Sequence, residues 1–200
     1  GLKAEIVEFE SEAISRVVFG DTEEKQSYLI ADIGRMTTLL FVYGPHGICF
    51  SENFDFAGEV MTNEISKKLN LDFAQAEKMK IEHGLSLATD SKGKNRVLKE
   101  IVKDAIIEIN KVKNYCEEQE EKTIKELVLV GNGSKVPFLA EYLEKETQLK
   151  IKAAREMSDF VNGKKKLSPA KMKMISRVSL GVAFRGLASK PEEESINLVD

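Results

Sequence analysis

Ser27–Tyr43, SYLIADIGRMTTLLFVY, decides how the chain is read. Two apolar runs, Tyr28–Ile33 and Leu39–Tyr43, flank a more polar break made of Gly34, Arg35, Met36, Thr37 and Thr38. Leu, Ile, Val, Phe and Tyr suit buried strands, and a Gly-led break between two such runs predicts a hairpin. Asp32 stands near the end of the first strand, followed by Gly34 and the hydroxyls of Thr37 and Thr38. That order can aim backbone N–H and side-chain O–H groups at one small volume. Such a turn can hold a phosphate while the carboxylate faces Mg²⁺ or its water shell. Asp-x-Gly before a turn is common, so a plain tight turn is the competing reading.

Composition narrows the classes. Two hundred residues, 42% hydrophobic and 32% charged, fit a soluble globular chain of one domain or of two small lobes sharing a core. The net charge is −3 and the basic residues are scattered, which argues against a nucleic-acid surface. No apolar run approaches the roughly 18 residues of a transmembrane candidate and no signal-peptide pattern opens the chain, so a cytosolic compartment is expected. Cys49 and Cys116 are too few for a disulfide framework and share no metal-ligand spacing with His46 or His83; both are expected to be buried thiols. The first residue is Gly rather than Met, the expectation being a piece cut from a longer protein.

Outward from the hairpin, Lys3–Val7 alternates like a short strand, and Glu10–Phe19 has helical spacing with Ala13, Ile14, Val17 and Val18 on one side. Gly44-Pro45-His46-Gly47 is a turn, in which His46 is expected to be solvated, and Ile48–Phe50 supplies a third strand. The period then changes to helical over Val60–Leu69 and again over Phe73–Ile81, with Asp72 as N-cap. Leu87–Asn95 reads as a loop. A long amphipathic helix starts near Asn95 and carries Val97, Leu98, Ile101, Val102, Ala105, Ile106, Ile109, Val112 and Cys116 in a core-facing stripe, with Glu117–Glu121 as its solvated end. Glu126–Val130 is a strand running into Gly131-Asn132-Gly133-Ser134. Val136–Leu143 is expected to be a helix with Pro137 in its first turn, and Leu149–Ala153 a short strand. Lys164-Lys165-Lys166 lies in a loop, read either as solvated or as facing an acidic membrane surface. Ser168-Pro169 opens the last helix, Ala170–Leu187, before a charged, mobile tail.

Three successive strands followed by strands alternating with helices predict a mixed α/β sheet with covered faces. Ligands in such sheets gather at loops leaving the strand ends, where Asp32-x-Gly34 and Gly131-x-Gly133 both fall. They are therefore treated as one candidate site.

Four segments in this order resemble the second lobe of the actin-like ATPase superfamily, a ribonuclease H-like fold, and look closest to the family of type IV pilus assembly protein PilM, with the division protein FtsA a near relative. Asp32–Thr38 resembles its second phosphate motif. Ala57-Gly58-Glu59-Val60-Met61-Thr62, followed by Ala76-Glu77-Lys78-Met79-Lys80, resembles its Gly-Gly-Glu … Thr and Ala-Glu-x-x-Lys run. Val128–Ser134, continuing through Val136–Leu139, resembles its adenosine motif, and Gly181–Leu187 its closing helix. The implied layout is an entry strand, helix and phosphate hairpin over 1–56, an inserted helical or α+β subdomain with the long helix over 57–125, the remainder of the lobe over 126–189, and the tail 190–200.

The resemblance implies ATP and Mg²⁺ as cofactors. Asp32 would face the metal through water, and Gly34, Thr37 and Thr38 would face phosphate. Glu77 and Lys80, three apart on one helix face, would border ribose and base; a surface ion pair is the alternative. Gly131, Asn132 and Gly133 would let the nucleotide approach the backbone, or form a plain strand–helix turn. Gly181, Ala183 and Gly186 are read as close-packing positions. Arg35 and Met36 stand where the family prefers small residues; Arg35 either grips a phosphate or is an exposed hairpin arginine. Ala57 replaces the first glycine of a pair, and Asn132 stands at a glycine position. These departures weigh more against hydrolysis than against binding, and no catalytic residue is assigned. The first phosphate motif belongs to an upstream lobe, so the chain is expected to hold half of a clamp.

Ile196, Asn197 and Leu198 resemble the start of the PilN peptide, which in such systems docks on the PilM body and ties it to the inner membrane; a disordered polar tail is the alternative. The expectation is a nucleotide-binding assembly protein of a type IV pilus or related machine, cytoplasmic and peripheral at the membrane's inner face, with a PilN-like membrane protein or its N-terminal peptide as partner. It has no nucleic-acid partner, and at most a slow ATPase activity in the intact parent. A pure interaction scaffold with a decayed pocket, an FtsA-like division protein and an actin-fold kinase are the rivals; for the kinase no catalytic acid is evident, and the tail lacks the apolar face of a membrane-binding helix.

Overall fold

The computed structural model describes residues 7–20, 25–86, 94–119, 123–154 and 177–186. Within them the expected hairpin forms. β1 (Ser27–Ile33) and β2 (Thr38–Gly44) pair antiparallel with Ile33 opposite Thr38, so Gly34–Thr37 make the turn, closed by a 3.0 Å bond from the Gly34 N–H to the Thr37 carbonyl. β3 (Gly47–Phe54) continues the meander beyond the expected Ile48–Phe50. β4 (Ile124–Val130) lies parallel to β1, and β5 (Lys150–Ala153) parallel to β4, giving the order β3-β2-β1-β4-β5.

Strand period fixes what each face meets. Leu29, Ala31 and Ile33 of β1, with Leu40 and Val42 of β2 and Leu127 of β4, share one core with the helices. The core's helical residues come from α2 (Gly58–Leu69), α3 (Phe73–His83), α4 (Lys94–Gln119) and α5 (Leu139–Thr147), among them Met61, Ile65, Ala76, Met79, Leu98 and Leu143. The opposite parity, Ile30, Phe41, Val128 and Val130, is also buried, so both sheet faces are covered. The stripe expected along α4 is the one buried: Leu98, Val102, Ala105, Ile109, Val112 and Cys116 lie inside, whereas Ile107 on the far side is exposed. Asp72 caps α3 as expected. Its carboxylate accepts from the Gln75 N–H at 2.7 Å and the Gln75 side chain accepts from the Asp72 N–H, a reciprocal capping box.

The chain divides into two compact units, one spanning Lys25–Ala153 and the other formed by the segments on either side. In the second unit α1 (Glu10–Phe19) packs on α6 (Arg177–Gly186). Gly181 has no room for a Cβ, which would strike the backbone of Ala13. Arg16 donates to the Gly181 carbonyl at 2.9 Å and pairs with Glu8.

Four expectations are corrected. Ala183 and Gly186 are exposed, because offsets of two and five residues turn them away from the Gly181 contact at 100° per residue. Cys49 is exposed, since it sits on the outward side of the half-covered edge strand β3; Cys116 is buried. The helix expected at Val136–Leu143 begins only at Leu139. A 3₁₀ turn, Gly133–Lys135, precedes it, and Phe138 takes a left-handed φ of 63°, so Pro137 lies before the helix. His46 is exposed, as expected. Most of the Lys3–Val7 strand, most of the Leu87–Asn95 loop, Lys164–Lys166, the start of the last helix, and the tail with Ile196, Asn197 and Leu198 lie outside the described residues. No described helix is long and apolar enough to cross a membrane.

Candidate functional site

The β1–β2 turn is fastened to the start of α2 by main-chain bonds. The N–H groups of Gly58 and Glu59 donate to the carbonyls of Gly34 and Arg35, at 3.0 and 2.9 Å. These are the first N–H groups of α2, which have no partner inside the helix, so the turn supplies what the helix lacks. The Gly58 carbonyl then faces α3. It accepts from Lys80 Nζ at 2.6 Å, and Lys80 also donates to Thr62 Oγ1 at 2.8 Å and pairs with Glu77 Oε2 at 2.7 Å. The Thr62 hydroxyl reaches the Gly58 carbonyl and the Glu77 carboxylate.

Lys80 is thus a buried cation, 5% exposed, with three oxygens around its ammonium. Three donors meeting three acceptors is the condition under which an ammonium tolerates burial. Burial pushes the Glu77 carboxyl up, but the hydrogen bonds from Lys80 and Thr62 and the charge of Lys80 outweigh it and leave Glu77 below its ordinary range. Of the two sequence readings of this pair, the solvent-facing one does not hold for Lys80: the pair is built into the joint between α2 and α3.

The end of β4 supplies the third wall. Gly131 has φ +82°, and a Cβ there would strike Asp32 Oδ1 and the Ile33 carbonyl, so only glycine lets the ends of β1 and β4 come this close. A Cβ at Gly133 would likewise enter the Ile33 side chain. Ser134 closes the turn onto the Gly131 carbonyl at 2.7 Å, and Lys135 Nζ reaches Asn132 Oδ1 at 3.2 Å. The segment is held from the α3 side as well: the Leu85 N–H donates to the Pro137 carbonyl at 2.9 Å, and Gly84 packs against that proline.

Together these walls enclose a cleft of about 600 Å³ within the Lys25–Ala153 unit. Gly34 and Arg35 line it from the turn, Gly58 and Glu59 from α2, Phe73, Glu77, Lys80 and Ile81 from α3, and Asn132, Gly133, Lys135 and Val136 from beyond β4. Five of the expected site residues, Gly34, Glu77, Lys80, Asn132 and Gly133, therefore meet in one place although they are dispersed through the sequence. Asp32 and Gly131 stand side by side at the adjoining strand ends and Thr37 is exposed on the turn; none of them lines the cleft. Thr38 is buried and its hydroxyl donates to the Phe56 carbonyl.

Gly58, Glu59, Phe73, Ile81, Lys135 and Val136 were not singled out as site residues from the sequence. The signal for Glu59 was its place in the Ala57-Gly58-Glu59 run. Phe73 and Ile81 are apolar positions outside the buried stripe of α3, a sign visible only once that stripe is known. Among the described residues no group of three or more His, Cys, Asp or Glu side chains is arranged to hold a metal ion directly. The lining combines backbone glycines, the charged side chains of Arg35, Glu59, Glu77, Lys80 and Lys135, and the apolar Phe73, Ile81 and Val136. Apolar walls with a few placed polar groups are the usual makeup of a small-molecule site.

The family described as type IV pilus assembly protein PilM matches residues 1–189. Cell division protein FtsA of Buchnera aphidicola subsp. Schizaphis graminum is 27% identical over 184 residues, covering 78% of this chain and 44% of that protein. Among solved structures, the PilM-PilN type IV pilus biogenesis complex aligns with a TM-score of 0.72 at 19% identity, over 92% of this chain and 53% of that one. MreB 5 of Spiroplasma citri bound to AMPPNP aligns with a TM-score of 0.63 at 19% identity, over 92% of this chain and 60% of that one. The structural likenesses show a common actin-like fold. This chain spans about half the length of these relatives.

Proposed function

The chain belongs to the family of type IV pilus assembly protein PilM, and we propose that it is the lobe of such a protein that holds the base and ribose side of ATP in the Gly34–Lys80–Gly133 cleft. The observation that carries this reading is the convergence of four separate sequence segments on one cleft, with Lys80 and Glu77 locked between α2 and α3. In this reading Asp32 meets Mg²⁺ through water, the Gly34–Thr38 turn faces the phosphates, and Gly131–Gly133 gives the backbone approach. The whole protein closes around nucleotide with a second lobe, and closure shifts its affinity for a PilN-like membrane protein at the cytoplasmic face of the membrane, a population shift rather than a metabolic turnover. ATP hydrolysis is slow or absent.

The test is calorimetric titration of the intact protein with Mg²⁺ and AMPPNP, with a PilN-like N-terminal peptide titrated in parallel. Wild type is expected to bind the analogue, nucleotide to change peptide affinity, and Asp32→Ala to abolish Mg²⁺-dependent binding. Unchanged affinity in Asp32→Ala sinks the assignment of that residue.

A second reading, a protein-binding scaffold whose pocket has decayed, has its own support. The Thr38 hydroxyl is engaged with Phe56, the Gly34 N–H with Thr37, and Arg35 Nε with Glu59, so these three donors of the turn already have partners within the protein. Failure of the intact wild type to bind any ATP analogue decides for the scaffold.

A further inference from the structure

The charges around the cleft are unevenly committed. Lys80 is buried and held by three oxygens, and Lys135 rests against the neutral amide of Asn132. Arg35 differs from both. Its Nε lies 2.5 Å from Glu59 Oε2, yet the Arg35 side chain is 83% exposed against 24% for Glu59. The carboxylate is seated at the start of α2 and the guanidinium stands out in solvent.

Two facts give this pair a capacity for exchange. An exposed ion pair of this kind contributes little net stability, so little holds the guanidinium to that one partner. A phosphate chain carries more charge than a carboxylate and accepts the guanidinium fork through two oxygens at once. Meanwhile several neighbouring donors are engaged: the Gly34 N–H bonds Thr37, the Thr38 hydroxyl bonds Phe56, and the first N–H groups of α2 bond the turn's own carbonyls, while the Thr37 side chain stays exposed on the turn. Arg35 is the long cationic donor that the turn contributes to the cleft lining. The Glu59 main chain is fixed at the first turn of α2, where its N–H is tied to the Arg35 carbonyl.

We propose that Arg35 is the residue by which this cleft discriminates the number of phosphates on its ligand, and that Glu59 is a built-in competitor which holds Arg35 until a polyphosphate displaces it. The proposal rests on the nucleotide-binding reading above. An empty cleft keeps the Arg35–Glu59 pair; a nucleoside triphosphate draws Arg35 off Glu59, and a nucleoside without phosphate leaves the pair intact. The departure of position 35 from a small residue is then a change in selectivity rather than a mark of decay.

The experiment is calorimetric titration of the intact protein with AMPPNP, ADP and adenosine, in wild type, Arg35→Ala, Arg35→Lys and Glu59→Gln, with thermal melts confirming that each variant folds. Arg35→Ala is expected to weaken AMPPNP about tenfold and ADP less, leaving adenosine unchanged; a tenfold change corresponds to about 1.4 kcal/mol. Arg35→Lys should fall between, keeping the charge without the fork. Glu59→Gln is expected to tighten AMPPNP about threefold by removing the competitor, an effect that a merely structural pair would not produce. An unchanged AMPPNP-to-adenosine ratio in Arg35→Ala overturns the proposal. So does Glu59→Gln weakening AMPPNP as Arg35→Ala does, or equal loss of all three ligands. If wild type binds none of the three, the nucleotide reading fails and this proposal with it; binding by wild type with unaltered ratios refutes this proposal alone.

Discussion

Replacing Lys80 by Met tests whether the α2–α3 joint is held by one buried cation. The substitution keeps an unbranched side chain of similar length and removes the donors to the Gly58 carbonyl, Thr62 Oγ1 and Glu77 Oε2. Breaking a fully buried pair by removing one partner costs about 3–5 kcal/mol, because it strands a charge. Glu77 is 37% exposed on its side chain, so water reaches its carboxylate once Lys80 is gone, and the Thr62 hydroxyl still serves the Gly58 carbonyl. The discounted expectation is a loss of about 2 kcal/mol, read from the urea midpoint at constant slope. A cycle with Glu77→Gln isolates the pair, and a coupling of about 1 kcal/mol is expected.

The pH dependence follows from Glu77. Its folded pKa is depressed, so the stabilisation is fully present above the unfolded value, about 4.3 for glutamate, and is lost as pH falls through the folded value. The gap between wild type and Lys80→Met should therefore be widest near neutrality and close on acidification. A loss under about 0.5 kcal/mol at neutral pH, or a gap that widens in acid, refutes the reasoning.

Gly131→Ala is expected to cost about 2 kcal/mol or more, from a left-handed φ of +82° and a methyl group driven into Asp32 and Ile33, and to impair ligand binding beyond its effect on the melting temperature. Asp72→Ala removes one half of the α3 capping box and should cost about 1 kcal/mol in thermal unfolding; because the cap is exposed and remote from Lys80, its effect should add to that of Lys80→Met.

The fold was legible because its signals are local. Continuous apolar runs placed β1, β2 and β4, helical spacing gave α1 and the buried stripe of α4, and Asp72 marked the start of α3. Position 136 was misread for a physical reason: Pro137 is as acceptable before a helix as inside its first turn, and the left-handed Phe138 that delays the helix has no sequence signature. Cys49 was misread because apolar-looking composition does not tell a central strand from an edge. At the site, the Glu77–Lys80 spacing was visible but its burial was not, since the Gly58 carbonyl and Thr62 hydroxyl that make burial tolerable lie 22 and 18 residues away in sequence. The partnership of Arg35 with Glu59 was hidden for the same reason.

The place of β1 at the centre of the sheet bears on the order in which the cleft comes into being. One neighbour, β2, is reached across the Gly34–Thr37 turn; the other, β4, opens at Ile124, about 90 residues after Ile33. By loop-closure entropy the second pairing costs about 3 kcal/mol more than the first. The turn, α2 and α3 can gather from near neighbours in sequence, whereas Asn132 and Gly133 arrive only once the distant strand has docked. A ligand that needs both walls has nothing to grip until that late step is complete. Its stabilisation should consequently appear as slower unfolding, with the rate of folding left almost untouched.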